Sequence, residues 1–370
     1  MTIYYVTIFG LTGLGYLLTE KKCSTRTRDL YFLLAFIVLV FFTSFRYAIG
    51  FDYFSYRLIY EMVETEWTLD VIFHDFWYEP GFFLIYKFFQ LLHFSYPAAL
   101  AGINIFLMAV SVWFVRRYSK MPWVSIYLYI TFQFLAYHMN LVRQSIALCF
   151  FLFAYPFLKE KKIIPFTLLL LIGGLLHNSL WFVWPLYFLL TKKPTIRYWV
   201  FTAGAALLVY ILFDALFVYI KPYLPMKYAA YLGTYFWNAN TFLYVVPAIL
   251  YGVLLFLFRR RITDPTARTI YLNSAFYNIL ISFYITKHFI LERFAVYPFV
   301  FSLIAVPDII ASYRSEKKRG KRERTMYRFV LILWLLFGAG YFLFAAANGF
   351  HQVYPYVSLL ERGYSVPSMP

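Results

Sequence analysis

The chain has 370 residues, 62% hydrophobic and 24% aromatic, with only 14% charged and a mean hydropathy of +0.66. A soluble domain carries about 45–50% apolar and about 25% charged residues, so the composition excludes an ordinary soluble fold and points to an all-α, polytopic integral membrane protein. The formal charge of +17 would suit nucleic acid, but most of the 34 Lys and Arg sit in short breaks between apolar runs, a pattern that reads as topology.

The first run, "TIYYVTIFGLTGLGYLLT", has no basic leading segment and no A-x-A-like cleavage site, so it reads as a retained span. The basic breaks are "EKKCSTRTRD", "RRYSK", "KEKK", "TKKPTIR", "RRRITDPTAR" and "RSEKKRGKRERTMYR", all cytoplasmic by the positive-inside rule. Spans are then expected near 2–19, 29–45, 98–115, 122–138, 142–158, 163–177, 179–191, 198–218, 241–258, 269–286, 294–312 and 327–347. That makes twelve, within a range of 11–14, with both termini outside and residues 1–370 forming one integral domain. Cys23 in a basic break and Cys149 in a span form neither a metal spacing nor a disulfide framework.

Residues 46–97 form an external, acidic and aromatic region that holds Asp52, Glu61, Glu64, Glu66, Asp70, Asp75 and Glu79. In "FRYAIGFDYFSYR", Gly50 lets the chain turn, and Phe54, Leu58 and Met62 then recur on one face with Tyr53, Tyr56, Tyr60 and Glu64 on another. This predicts an amphipathic helix on the membrane surface, with Arg57 and Glu61 paired at i,i+4. The run 81–96, "GFFLIYKFFQLLHFSY", would break the alternation set by the basic loops if it crossed the membrane, so it reads as a re-entrant or tilted segment. Residues 163–177 rise only about 22 Å at 1.5 Å per residue, against a hydrocarbon core of roughly 30 Å. The tip of that hairpin, "LLHNSLW" with His177 at its apex, should therefore lie below the outer surface, lining a polar cavity.

Three of the remaining bases, Arg46, Arg143 and Arg293, stand at the outer ends of separate spans. A charge at membrane depth costs about 2.5–3.5 kcal/mol on insertion scales, so three of them need lipid headgroups or an anionic partner. In "HMNLVRQSIA", Asn140 is an expected N-cap, with Arg143 and Gln144 in the first helical turn, where backbone N–H groups and a guanidinium suit a phosphate. His177 is either a satisfied buried histidine or a general base. Asp52 is either a salt-bridge partner of Arg46 or a carboxylate base, and Glu79, in "EPG", is the next acid. In "LERFAVYPF", Glu292 can pair locally with Lys287 or Arg293, and Tyr297 lies one turn on. The late segment "HQVYPYVSLLERGY" supplies Tyr354 and Tyr356, which with Tyr53 and Tyr56 are aromatic platforms for sugars or members of an interfacial belt.

Taken in order, "FRYAIGFDYFSYR", "EPGFFLIYKFF", "NLVRQSIA", "HNSLWF", "ERFAVYPF" and "YPY" resemble the EpsG-like family of bacterial polysaccharide polymerases, Wzy-type enzymes of O-antigen, capsule and exopolysaccharide assembly. The resemblance implies a GT-C-like helical glycosyltransferase at the outer face of the bacterial inner membrane. Its donor and acceptor would be oligosaccharide repeats on undecaprenyl pyrophosphate, and a chain-length regulator would be a further protein partner. It matches Arg46, Gly50, Asp52, Tyr53, Arg143, Gln144, His177 and Arg293. On this reading Arg46, Arg143, Gln144 and Arg293 hold pyrophosphate, and Asp52 or His177 activates the acceptor hydroxyl. Tyr53, Tyr56, Glu79, Tyr297, Tyr354 and Tyr356 line the sugars. No D-x-D or G-x-x-x-x-G-K-[ST] motif calls for a metal or nucleotide, so no cofactor is expected. An O-antigen ligase and a lipid-linked oligosaccharide flippase are the rival readings.

Overall fold

A computed structural model describes residues 1–20, 24–65, 79–223, 234, 242, 244–314 and 321–361. Cys23, Glu66, Asp70, Asp75, Lys227 and Arg362 lie outside the described residues, as does most of the external loop expected over 219–240. Among the described residues the fold is all-helical, and the only β pairing is one bridge between Arg46 and Ser358.

The first half contains α1 (Thr2–Thr19), α2 (Thr25–Ser44), α3 (Tyr53–Thr65), α4 (Pro80–Leu91), α5 (Tyr96–Tyr118), α6 (Pro122–Thr131), α7 (Phe134–Asn140) and α8 (Val142–Lys159). Next come the short α9 (Ile163–Gly174), α10 (Ser179–Val183) and α11 (Leu186–Thr191), then α12 (Ile196–Ile220) and α13 (Val245–Phe258). The last are α14 (Pro265–Ile285), α15 (Glu292–Phe299), α16 (Ser302–Arg314) and α17 (Lys321–Ala347). Local chemistry sets many starts: Ser24 caps Thr27 N at 3.2 Å, Thr195 caps Tyr198 N at 3.2 Å, and Asp264 caps Thr266 N at 2.9 Å. Pro opens α4, α5, α6 and α14, where its missing N–H costs nothing.

Every expected span contains helix, but the count of twelve full crossings does not follow from the helix lengths. Among the described residues six helices, α1, α2, α5, α8, α12 and α17, are long and apolar enough to cross a membrane, or seven if α15 and α16, bent by 41°, form one span. The other runs break for identifiable reasons. Gln133 takes φ +70° between α6 and α7, Pro185 separates α10 from α11, and Pro298 lies inside the bent pair. Run 81–96 gives only the short α4, whose Gly81 N bonds Leu175 O at 3.0 Å at the tip of the α9/α10 hairpin, in keeping with a segment that does not cross. That hairpin is tight because Gly174 lies against the Trp181 indole, where a Cβ would come within 1.5 Å of its Nε1.

One continuous core runs from Tyr4 to Val353, with α6, α7 and α16 almost wholly buried. No residue in the apolar window of α12 is buried, and α1 and α2 expose Phe9, Leu17, Leu33 and Phe41, the side chains that would meet lipid. At the end carrying the basic breaks, Arg314 pairs with Glu20 at 2.6 Å and Lys159 with Asp264 at 2.6 Å, while Trp123 donates to Glu20 at 2.7 Å. The Lys159–Asp264 pair is partly exposed and contributes about 0–1 kcal/mol, whereas the Glu20 carboxylate is largely buried between Arg314 and Trp123.

At the opposite end residues 352–359 strap across the exit of α2. Leu359 N bonds Phe45 O at 2.7 Å, Tyr47 N bonds Val357 O at 2.9 Å, and Gly50 N bonds Gln352 O at 2.9 Å. The tyrosine face of α3 turns inward, with Tyr53, Tyr56 and Tyr60 buried, while Leu58 on the other face is 58% exposed. Arg57 and Glu61 make the expected pair at 2.8 Å, and the Glu61 bond raises the guanidinium above its usual value.

Candidate functional site

The ends of α7, α14 and α17 and the start of α3 meet around a crevice at the end away from the basic breaks. Asp52, Asn140, Glu292, Arg293 and His351 line it. Gly50 makes the approach possible: it has φ +97°, and a Cβ there would lie 3.2 Å from Met139 O. Two residues later Asp52 N donates to Asn140 Oδ1 at 3.1 Å, which fixes the amide so that Nδ2 points to His351 Nδ1 at 3.2 Å. With Nδ2 as donor, Nδ1 accepts and a neutral ring carries its proton on Nε2. Glu292 Oε1 lies 3.8 Å from the same Nδ1, and Glu292 Oε2 accepts from the Tyr244 hydroxyl. A second crevice shares Glu292 and His351 and runs on past Tyr137, Tyr244 and Tyr341, so the cleft continues into the bundle.

Asp52 and Arg293 are half-buried at the crevice mouth. Among the described residues no hydrogen bond or ion pair engages the Asp52 carboxylate, and Arg46 does not reach it. Asp52 is close enough to influence both Arg143 and Tyr56 electrostatically. Burial, with the Asp52 charge beside it, pushes the Tyr56 hydroxyl up to about 12, so it remains a donor at neutral pH.

Arg143, in the first turn of α8, bonds Glu79 at 2.7 Å, with side-chain exposures of 13% and 4%, and lies 5.9 Å from the ring centres of Tyr56 and Phe82. The other Glu79 oxygen accepts from Asn178 N at 3.1 Å, so one carboxylate joins α4, α8 and the hairpin tip. The expected pocket histidine is buried at that tip and lines neither crevice. His177 Nδ1 is 2.7 Å from Ser179 Oγ, which is 2.7 Å from the Tyr297 hydroxyl, and Gln144 Nε2 donates to Arg293 O. Gln144 thereby positions Arg293 from α8.

Arg46 is 1% exposed and sits among Tyr96, Tyr53, Tyr356 and Tyr4, where burial lowers its guanidinium below the usual value. It donates to Thr43 O, and its Nε has no protein partner. Tyr354 donates to Gln133 at 2.6 Å and Tyr356 to Phe42 O at 2.8 Å, and both rings lie against Tyr4, at 4.8 and 6.2 Å. The structure therefore places Asp52 and Arg293 in one crevice, while Arg143, Tyr56 and Glu79 form a cluster of their own that does not line it. It gathers His177, Gln144 and Tyr297 beside the hairpin, and Arg46, Tyr53, Tyr354 and Tyr356 beneath the strap.

Sequence reasoning missed His351 and Tyr244 and misread Asn140. Asn140 closes α7 rather than capping α8, because the break between helices falls at Gln133 and the chain continues through Leu141 almost without interruption. Glu292 also departs from its expected local pairing, since Lys287 bonds Asp214 at 2.6 Å. One turn from Arg293 an apolar crevice lined by Phe182, Leu186, Phe213, Ile281, Leu291 and Phe294 opens beside the exposed α12.

A family model described as the EpsG family matches residues 29–358. No curated protein and no solved structure matches the chain.

Proposed function

Because this chain belongs to the EpsG family, we propose that it polymerises lipid-linked oligosaccharide repeats into an O-antigen, capsule or exopolysaccharide, transferring the growing glycan to the next repeat. One observation carries the reading: Asp52 and Arg293, 241 positions apart in the chain, line one crevice at the end away from the basic breaks, with an apolar crevice beside Arg293. In a bacterial inner membrane that end faces the periplasm, and the short and bent helices complete a GT-C-like bundle of about twelve crossings.

The donor pyrophosphate lies against Arg293 and the first turn of α8, where the Arg143 guanidinium and the helix dipole meet developing negative charge. Its undecaprenyl chain leaves through the apolar crevice. Asp52 takes the proton from the acceptor hydroxyl, the new C–O bond forms at the donor's anomeric carbon, and the anomeric C–O bond to pyrophosphate breaks, releasing undecaprenyl pyrophosphate. Asp52 is preferred to His177 because its carboxylate is disengaged, whereas His177 Nδ1 is already held by Ser179. Arg46 serves as a positioning residue that seats the first external turn, Tyr56 donates to substrate, and Glu79 orients Arg143.

Detergent-purified protein given synthetic lipid-linked repeats tests the function. A polymerase yields a ladder of products differing by one repeat. Transfer of intact glycan to a different lipid, with no ladder, supports a ligase, and no turnover without a second compartment supports a flippase.

A further inference from the structure

The crevice at Asp52 is not the only cavity at this end among the described residues. A separate cavity of about 510 Å³ lies on the other side of the first turn of α3, between α3, the end of α4 and the strap. Asp52 lines the crevice and the next residue, Tyr53, lines this cavity, so one turn of chain is the wall between them. Its size falls within the roughly 300–1,000 Å³ usual for small-ligand sites, with room for more than one sugar ring.

We infer that this cavity is a second glycan site, which holds the product strand while the next linkage forms at Asp52; the assignment rests on the polymerase reading above. Its lining suits an uncharged polyol rather than an anion. Tyr47 presents a half-buried ring, Arg57 and Glu61 offset each other at 2.8 Å, and Gln90 and His93 add hydrogen-bonding groups at the rim. The walls are already fixed without a ligand. Gln90 Nε2 donates to Tyr60 O at 2.5 Å, the Tyr60 hydroxyl to Phe94 O at 2.6 Å and the Tyr96 hydroxyl to Tyr53 O at 3.1 Å. Such preorganisation limits the ordering cost of binding a flexible glycan.

His93 supplies a further observation. It closes α4 with φ +56°, in the left-handed region where glycine is favoured, yet its exposed imidazole is at the cavity rim. A histidine in a position suited to glycine is consistent with a side-chain role. A second site raises the effective concentration of the chain end at the first, so its loss should shorten the product before it slows a single transfer.

The test uses Arg57→Ala and His93→Gly; the latter removes the ring while relaxing the backbone, so it is expected to fold. Saturation-transfer NMR is run on purified protein with lipid-free oligosaccharide cut from the glycan of cells carrying the wild-type protein, and with glycerophosphocholine as a headgroup probe. Expected are oligosaccharide signals from wild type that fall several-fold in both variants, and in polymerisation a several-fold shorter product with little change in the rate of the first linkage. Unchanged binding and product length in both variants overturn the inference, as does signal from glycerophosphocholine alone. If wild type makes no polymer but binds the oligosaccharide through Arg57 and His93, the polymerase reading fails and the glycan site stands.

Discussion

At the scale of single residues, the end away from the basic breaks depends on a few groups whose alternatives are costly. Gly50 is one, because any side chain there meets both φ +97° and Met139 O. Gly50→Ala should cost about 1–3 kcal/mol and pull Asp52 from Asn140, lowering the melting temperature and turnover together in thermal and activity assays. The Arg143–Glu79 pair is another. Removing one partner of a buried pair costs about 3–5 kcal/mol because the other charge stays desolvated, whereas apolar replacement of both is often near neutral. Glu79→Leu should therefore destabilise more than Glu79→Leu with Arg143→Met, measured by denaturation in detergent, while both lose activity. The positions of Arg46, Arg143 and Asp52 at the ends of apolar runs were legible because charge beside a hydrophobic stretch is a local signal. His351 was not legible: it reaches Asn140 across 211 positions and through φ +58°, and no local pattern encodes that meeting.

At the scale of elements, α3 and the α9/α10 hairpin were the most readable parts. The repeat of Phe54, Leu58 and Met62 opposite Tyr53, Tyr56 and Tyr60 is enough to orient α3, and the buried tyrosines follow it. An environment-sensitive dye on Leu58→Cys should show blue-shifted emission in lipid vesicles, and emission typical of water would exclude a membrane-lying helix. The α6/α7 break was hidden because Gln133 is an ordinary residue in a left-handed conformation that only the tertiary fold maintains. The strap from Val353 to Leu359 was also unreadable as a latch, since its partners are backbone atoms of residues 45 and 47. If Tyr356 chiefly anchors this strap, Tyr356→Phe should cost about 1 kcal/mol for the bond to Phe42 O and leave product length unchanged in the polymerisation assay.

For the whole molecule, composition and charge distribution were sufficient to show a helical membrane protein and to separate a basic end from one bearing Asp52, Arg143 and Arg293. They were insufficient to count crossings, because breaks at Gln133, Pro185 and Pro298 divide apolar runs that look continuous in hydropathy. The same limit explains the histidine. His177 was legible as the residue at a hairpin tip, but its surroundings were not, because Ser179 beside it meets Tyr297, 118 positions further on. The most direct test of the account is single-turnover transfer between lipid-linked repeats by purified Asp52→Asn and His177→Gln, compared with wild type. Loss of about 10²–10⁴-fold in Asp52→Asn, with His177→Gln far less affected, is the predicted result. Wild-type transfer by a folded Asp52→Asn protein would contradict it.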